Sequence, residues 1–255
     1  MPRYPVILGE TGTSGARMLH AALERRGVYM GVNIDATADA VDVIPFFERY
    51  TVDVLRHTGR VDYELADLPE ALRNSALTYL EGAMTAYLAA QASSGGPWGL
   101  KAPRAIYMLP FFRELFPDML FVQMIRDGRH MAQNRNQLQV RRHYEPLFRE
   151  PVGERPELAA ARLWAKANGE AADWCERHLP GRHLLLRFEE LSNDPTAAIG
   201  RLLEFLDWRC PPAELAKLAE QIRGSADVDR LPPGGDADAE VESAAAPGLV
   251  RFGYA

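Results

Sequence analysis

The run VILGETGTSGARML sets Gly9, Gly12 and Gly15 three residues apart, with Ser14 before the last glycine and Arg17 just beyond it. Glycines let a chain turn tightly and bring its amides close to a ligand. Where such a turn opens a helix, unpaired N–H groups and the positive dipole end favour phosphate or sulfate. Ser14 adds a hydroxyl donor, and Arg17 a planar cationic fork suited to oxyanions. A Walker A loop needs Lys and then Ser or Thr after the last glycine, whereas Ala16 and Arg17 follow here. A dinucleotide fingerprint needs G-x-G-x-x-G, and only its second half is present, in Gly12 and Gly15. The competing reading is a plain strand-to-helix turn.

Two further segments carry candidate anion ligands. IRDGRHMAQN, residues 125–134, follows an apolar run and presents Arg126, Arg129 and Asn134. It fits a second anionic subsite, or equally a helix start capped by Asp127 with its arginines in solvent. LLLRFEELSNDP, residues 184–195, ends a β-type run with Arg187 and Phe188. Phe188 there suits stacking on a purine or, more commonly, burial in a core. The six histidines and the two cysteines, Cys175 and Cys210, form no metal-ligand spacing, so no metal is expected.

The elements that must position these residues alternate between short β-type and longer helical patterns. That alternation predicts an α/β fold, a parallel β-sheet flanked by helices. Strands are expected at residues 4–8, 28–31, 98–101, 119–125 and 183–187. Helices are expected at 16–26, 45–57, 69–91, 105–116, 129–142, 157–178, 196–206 and 213–222. Prolines interrupt the chain between 142 and 156, and the Gly-, Pro-, Ala- and Asp-rich stretch 224–248 reads as a flexible acidic loop. Ligands of open parallel sheets lie at the C-terminal strand ends, where all three candidate segments fall.

Composition sets the outer bounds. The 255 residues suit a single domain over 1–255, and 47% hydrophobic content supplies a core without staples. Few cysteines, no signal-peptide pattern and no apolar run of about 20 residues point to a cytoplasmic protein without a transmembrane segment. A net charge of −6 argues against nucleic-acid binding. Residues 101–150 nevertheless hold nine Lys/Arg against five Asp/Glu, whereas 224–248 hold six acids and one Arg. A local basic surplus in an acidic chain suits a small polyanion, or a solvated basic surface.

Taken in order, the segments resemble the sulfotransferase superfamily, with a P-loop-like three-layer fold and 3′-phosphoadenosine 5′-phosphosulfate (PAPS) as donor. GTSGARML, residues 12–19, resembles the family's 5′-phosphosulfate loop, and RDGRHMAQN, residues 126–134, its 3′-phosphate motif. KAPRAIYMLPFFRELFPDMLFV, residues 101–122, and LLLRFEELSNDPTAAIGRLLEFL, residues 184–206, resemble two further segments of bacterial members. The resemblance implies that Gly12, Thr13, Ser14, Gly15, Ala16 and Arg17 wrap the phosphosulfate. It further implies that Arg126 and Asn134 hold the 3′-phosphate, with Lys101 near the transferred group; Phe188, on the stacking reading, would lie beside the purine. Arg251, in an Arg-Phe-Gly run similar to one that closes over the 3′-phosphate in cytosolic members, is placed with them. The product would be 3′-phosphoadenosine 5′-phosphate (PAP), and the acceptor a hydroxyl or amine of a small molecule or carbohydrate.

Departures from the family pattern are specific. Thr13 stands where a basic residue is usual, Ala16 where Thr is usual, Gly128 for Pro and Asn134 for Ser. Pro103 occupies the position of the catalytic His of cytosolic members. A base must then come from the acids after the first helix, and the family pattern ranks Asp42 first and Asp35 second, with Asp39 and Glu48 also in that stretch. Lys101 and Arg17 would stabilise charge at the reacting group. The pattern specifies neither the acceptor nor an oligomeric state. The alternatives are a P-loop-like nucleotide or small-molecule kinase, which would need Mg²⁺ and a Lys that the loop lacks, and a non-catalytic nucleotide-binding module, which Thr13 and the absent His favour.

Overall fold

The computed structural model describes residues 4–12, 14–91, 95–224 and 238–255. Four strands, β1 (Val6–Glu10), β2 (Gly99–Lys101), β3 (Leu120–Ile125) and β4 (His183–Arg187), form one sheet in the order β2-β1-β3-β4. Every pairing is parallel. Leu8 lies opposite both Lys101 and Val122, Glu10 opposite Met124, and Ile125 opposite Arg187. This register brings Glu10, Lys101, Arg126 and Phe188 to one edge of the sheet.

Side chains alternate faces along a strand, and the core divides accordingly. Ile7 and Phe121 pack into one apolar cluster, with residues of α2 (Ile44–Thr58), α3 (Glu70–Ala89) and α7 (Pro156–His178). Val6, Leu8, Val122 and Met124 pack into the other, with α1 (Ala16–Arg25), α9 (Pro195–Phe205) and α10 (Pro212–Arg223). Helices thus cover both faces of the parallel sheet, as expected of strands buried throughout.

Several elements differ from the expected ones. The strand at 28–31 reduces to a single bridge, Tyr29 to Trp98, because the chain turns away at Gly31, φ +98°. The helix at 105–116 is a 3₁₀ turn, Pro103–Tyr107, followed by α4 (Leu109–Leu115), which restarts with Pro110 in its first turn. The helix at 129–142 breaks into α5 (Gly128–Ala132) and α6 (Leu138–Phe148). Between them, Asn134 accepts from the Asn136 amide (2.9 Å) and Asn136 from the Leu138 amide (3.2 Å), so side chains displace the helical pattern. α6 then runs through Pro146. A short helix, α8 (Phe188–Asn193), follows β4 directly.

The stretch 224–248 is corrected in its second half. Residues 225–237 lie outside the described residues, but α11 (Ala239–Phe252) is helical. Asp238 caps it by accepting from the Glu240 amide, and Arg155 pairs with Asp238 and Glu240. Val241, Ala245, Leu249 and Phe252 form a buried stripe at helical spacing, and Gly248 lets the helix lie against Trp164 of α7. Small residues that read as loop are here a close-packing face.

His143 of α6 is buried, packs against Tyr107 with the rings tilted at 45° and their centroids 4.6 Å apart, and leaves Nδ1 without a partner. Burial, with Arg104 and Arg142 nearby, pushes its pKa down to about 3. The native state therefore keeps His143 neutral while the unfolded chain protonates it below about pH 6.5. Relative to His143→Phe, which keeps the ring and removes the titration, stability of the native protein should fall by up to ~1.4 kcal/mol per pH unit between about pH 6.5 and 3. Urea denaturation of both proteins across that range checks this.

Candidate functional site

β1 ends in Glu10, and the chain turns through Gly12 and Gly15, both left-handed at φ +95° and +91°, before α1 begins at Ala16. The turn gathers backbone amides around one point. Ser14 N and Ala16 N both donate to Glu10 Oε2, at 2.9 and 3.4 Å. A carboxylate oxygen thus already sits among the loop amides, as expected of an anion-binding nest. Ser14 itself is buried, its hydroxyl donating to Gly12 O at 3.2 Å. Thr13 lies outside the described residues.

Gly15 has no room for a side chain: a Cβ there would stand 2.6 Å from Phe188 Cδ2. Phe188 is buried under the loop, with the Arg126 guanidinium 4.6 Å from its ring centroid. Arg126 is 5% exposed, and burial lowers its pKa against the opposing pull of Glu189, Tyr254 and Asp127. Around it, the Asp127 amide donates to Glu189 Oε1 (3.0 Å) and Tyr254 Oη to Glu189 Oε2 (2.8 Å). Arg129 pairs with Asp127 (2.7 Å) and donates to Tyr254 O (3.0 Å). The C-terminal residues thereby buttress the Arg126 edge. At the end of β1, Asn168 of α7 donates to Thr11 Oγ1 at 3.2 Å.

Lys101, at the end of β2, is almost fully buried between two acids. Its Nζ lies 2.5 Å from Asp39 Oδ1 and 3.9 Å from Glu10 Oε1. Burial raises the pKa of Glu10, and Lys101 and the loop amides pull it back. Asp39 belongs to a tight turn built by Asp35, whose Oδ1 accepts from Thr37 N (2.8 Å), Thr37 Oγ1 (2.6 Å) and Asp39 N (3.0 Å). Burial would raise the Asp35 pKa, but these hydrogen bonds outweigh it and hold the carboxyl below its ordinary value. Arg17 reaches across to Ala36 O at 3.3 Å.

These groups line one cavity of about 810 Å³. Gly12, Gly15, Ala16, Arg17, Asp35, Lys101, Arg126, Asn134 and Phe188 all face it. Three expected residues among those described do not, Ser14 because it is buried in the loop. Asp42 accepts from Asn33 Nδ2 at 2.9 Å and closes the base of the 33–42 turn; Asp39 faces the cavity in its place. Arg251 pairs with Asp173 (2.7 Å) and Glu176 (3.0 Å) of α7, because the buried stripe of α11 fixes that rotation. Sequence reasoning missed Glu10, Arg104, Gln139 and Arg142 as lining residues. For Glu10 a signal existed: a lysine in a buried strand requires a neighbouring acid.

A model of the sulfotransferase family matches residues 11–212. The chain belongs to the sulfotransferase family. Among solved structures, a sulfotransferase domain from the curacin biosynthetic pathway aligns at 15% identity and TM-score 0.56, over 100% of this chain and 99% of that one. A sulfotransferase domain of the Synechococcus PCC 7002 olefin synthase aligns at 16% and 0.55, over 100% and 96%. A sulfotransferase from Alicyclobacillus acidocaldarius aligns at 15% and 0.54, also over 100% and 96%. At such identities these similarities speak for the sulfotransferase fold alone. No curated protein matches the sequence. Among the described residues, no helix is long and apolar enough to cross a membrane, and no group of three or more His, Cys, Asp or Glu is placed to hold a metal.

The buried lysine offers a direct check on this charge cluster. Lys101→Met would strand Glu10 and Asp39 without their cation and should cost about 3–5 kcal/mol of stability. Adding Glu10→Gln should recover part of that loss, as measured by urea denaturation of the single and double variants.

Proposed function

We propose that this sulfotransferase moves a sulfuryl group from PAPS to a hydroxyl or amine of a small-molecule or carbohydrate acceptor. The observation that carries the reading is the shared edge: a glycine loop with amides already closed on an oxyanion, beside the buried cation Arg126, over one cavity with Lys101 at its floor. Gly12 to Arg17 would hold the 5′-phosphosulfate, Arg126 and Asn134 the 3′-phosphate, and Phe188 the loop and Arg126 from below. Bound PAPS would supply an activated sulfuryl group on a phosphate leaving group.

The chain's own residues then have distinct tasks. The loop amides and Arg126 align and neutralise phosphate charge, so that little of the barrier falls on reorienting groups during transfer. Lys101 stands between Glu10, bonded to the loop, and Asp39, and can stabilise negative charge arising on either side. With Thr13 where a basic residue is usual, Lys101 and Arg17 are the cations assigned to that task. A hydroxyl acceptor needs a proton taken from it. Asp39 is assigned as the base by position, facing the cavity beside Lys101, whereas Asp35 spends one oxygen on three hydrogen bonds that build the turn. No step in this reading needs a metal.

Calorimetry with PAP should show binding that Arg126→Ala weakens by about tenfold to a hundredfold, the worth of a charged hydrogen bond. With labelled PAPS and a hydroxyl acceptor panel in EDTA, Asp39→Asn should lower kcat by about 10²–10⁴ while Asp42→Asn leaves it nearly unchanged. Absence of PAP binding, or Mg²⁺-dependent ATP turnover in its place, would overturn the assignment.

A further inference from the structure

Part of the cavity wall belongs neither to the glycine loop nor to the Arg126 edge. It comprises Ile44 and Glu48 of α2, Arg104 of the 3₁₀ turn, and Leu138 and Arg142 of α6. The Arg104 guanidinium lies 5.4 Å from the centroid of the Phe47 ring, a stack that steadies its plane. Among the described residues, no acid pairs with Arg104. The acids nearest in charge are already engaged, Glu48 with Arg142 at 3.6 Å and Asp39 with Lys101 at 2.5 Å. Burial first, and then the Arg142 charge, disfavour the charged form of Arg104. The nearby buried His143 stays neutral and adds no third positive charge. Two guanidiniums thus lie on one concave wall where, among the described residues, only Arg142 is paired, with a half-exposed carboxylate, an arrangement that raises the local potential and costs stability unless an anion joins it.

We infer that Arg104 and Arg142 form an oxyanion subsite, so that the acceptor carries a carboxylate or phosphate group besides the hydroxyl or amine that is modified. The anion subsite stands on these residues alone; calling its occupant the acceptor rests on the proposed function. A guanidinium fork takes a carboxylate or phosphate through paired hydrogen bonds. A neutral alcohol in the same place would leave Arg104 facing no charge, and a site built for a charged group discriminates strongly against ligands that lack it.

The test uses matched probes: 4-hydroxybenzoate against its methyl ester, and glycerol 3-phosphate against glycerol. Binding to the whole protein is read by ligand-observed NMR, with and without saturating PAP. At least one anionic member should bind at least about tenfold more tightly than its neutral partner, with PAP present. Arg104→Met, which keeps an apolar stem on Phe47, and Arg142→Gln should each remove most of that preference while PAP affinity stays within about twofold. The inference falls if neither anionic probe binds, if the neutral partners bind equally well, or if the preference survives both substitutions. It falls too if Arg104→Met weakens PAP as much as it weakens the anionic probe, since Arg104 would then serve the donor. Anionic probes that depend on Arg104 in a protein that fails to bind PAP would instead sink the donor reading and leave the subsite standing.

Discussion

An ammonium group held out of water at the end of a sheet strand constrains nearly everything around it. Lys101 is 3% exposed, and a charge so placed is tolerated only with opposite charge and hydrogen bonds close by. Glu10 and Asp39 supply both, and each brings a different part of the chain with it. Glu10 ties the lysine to the glycine loop through the amides of Ser14 and Ala16. Asp39 ties it to the 33–42 turn, whose shape follows from the hydrogen bonds Asp35 collects and from the Asn33–Asp42 closure. Loop, sheet edge and turn are therefore one electrostatic unit, and the cavity is the space they leave.

On the other side of the loop, packing has the same role that charge has at Lys101. Gly15, Phe188 and Arg126 form a column in which a missing Cβ, a buried ring and a guanidinium fit together. The sequence allows Phe188 either a purine stack or a place in the core. It is core by burial, yet it reaches the cavity wall, so its ring seats the loop above it and Arg126 beside it. The C-terminal helix completes this edge through Tyr254, whose hydroxyl meets Glu189 and whose carbonyl meets Arg129. Residues some 125 positions apart thus fix the orientation of the turn after β3.

The resulting wall is chemically uneven. The glycine loop and Arg126 face the cavity with amides and a buried cation, Lys101 and Asp39 form a close ion pair in its floor, and Arg104 and Arg142 crowd like charges beyond them. Uneven charge of this kind orients a ligand with two different ends, because reversing it would set unlike groups against the wrong partners.

Much of this was legible in residue order alone. Local rules suffice for a strand, a glycine turn and a helix with an apolar stripe, so β1, the loop and α1 were readable, as were β3, β4 and α7. The same holds for the family motifs, which are contiguous and keep their order. Which of several nearby acids faces the cavity was not readable, since Asp35, Asp39 and Asp42 differ only in how a turn of a few residues is hydrogen-bonded. Nor was the rotation of α11, which depends on Gly248 meeting Trp164 across the fold and which sends Arg251 to α7. Sequence by itself determined most of the strands and helices and the glycine loop, because those depend on neighbours along the chain. Tertiary structure alone decided the partners of Lys101, the place of Asp39 and the common wall of Arg104 and Arg142, because each depends on distances between segments that no local pattern encodes.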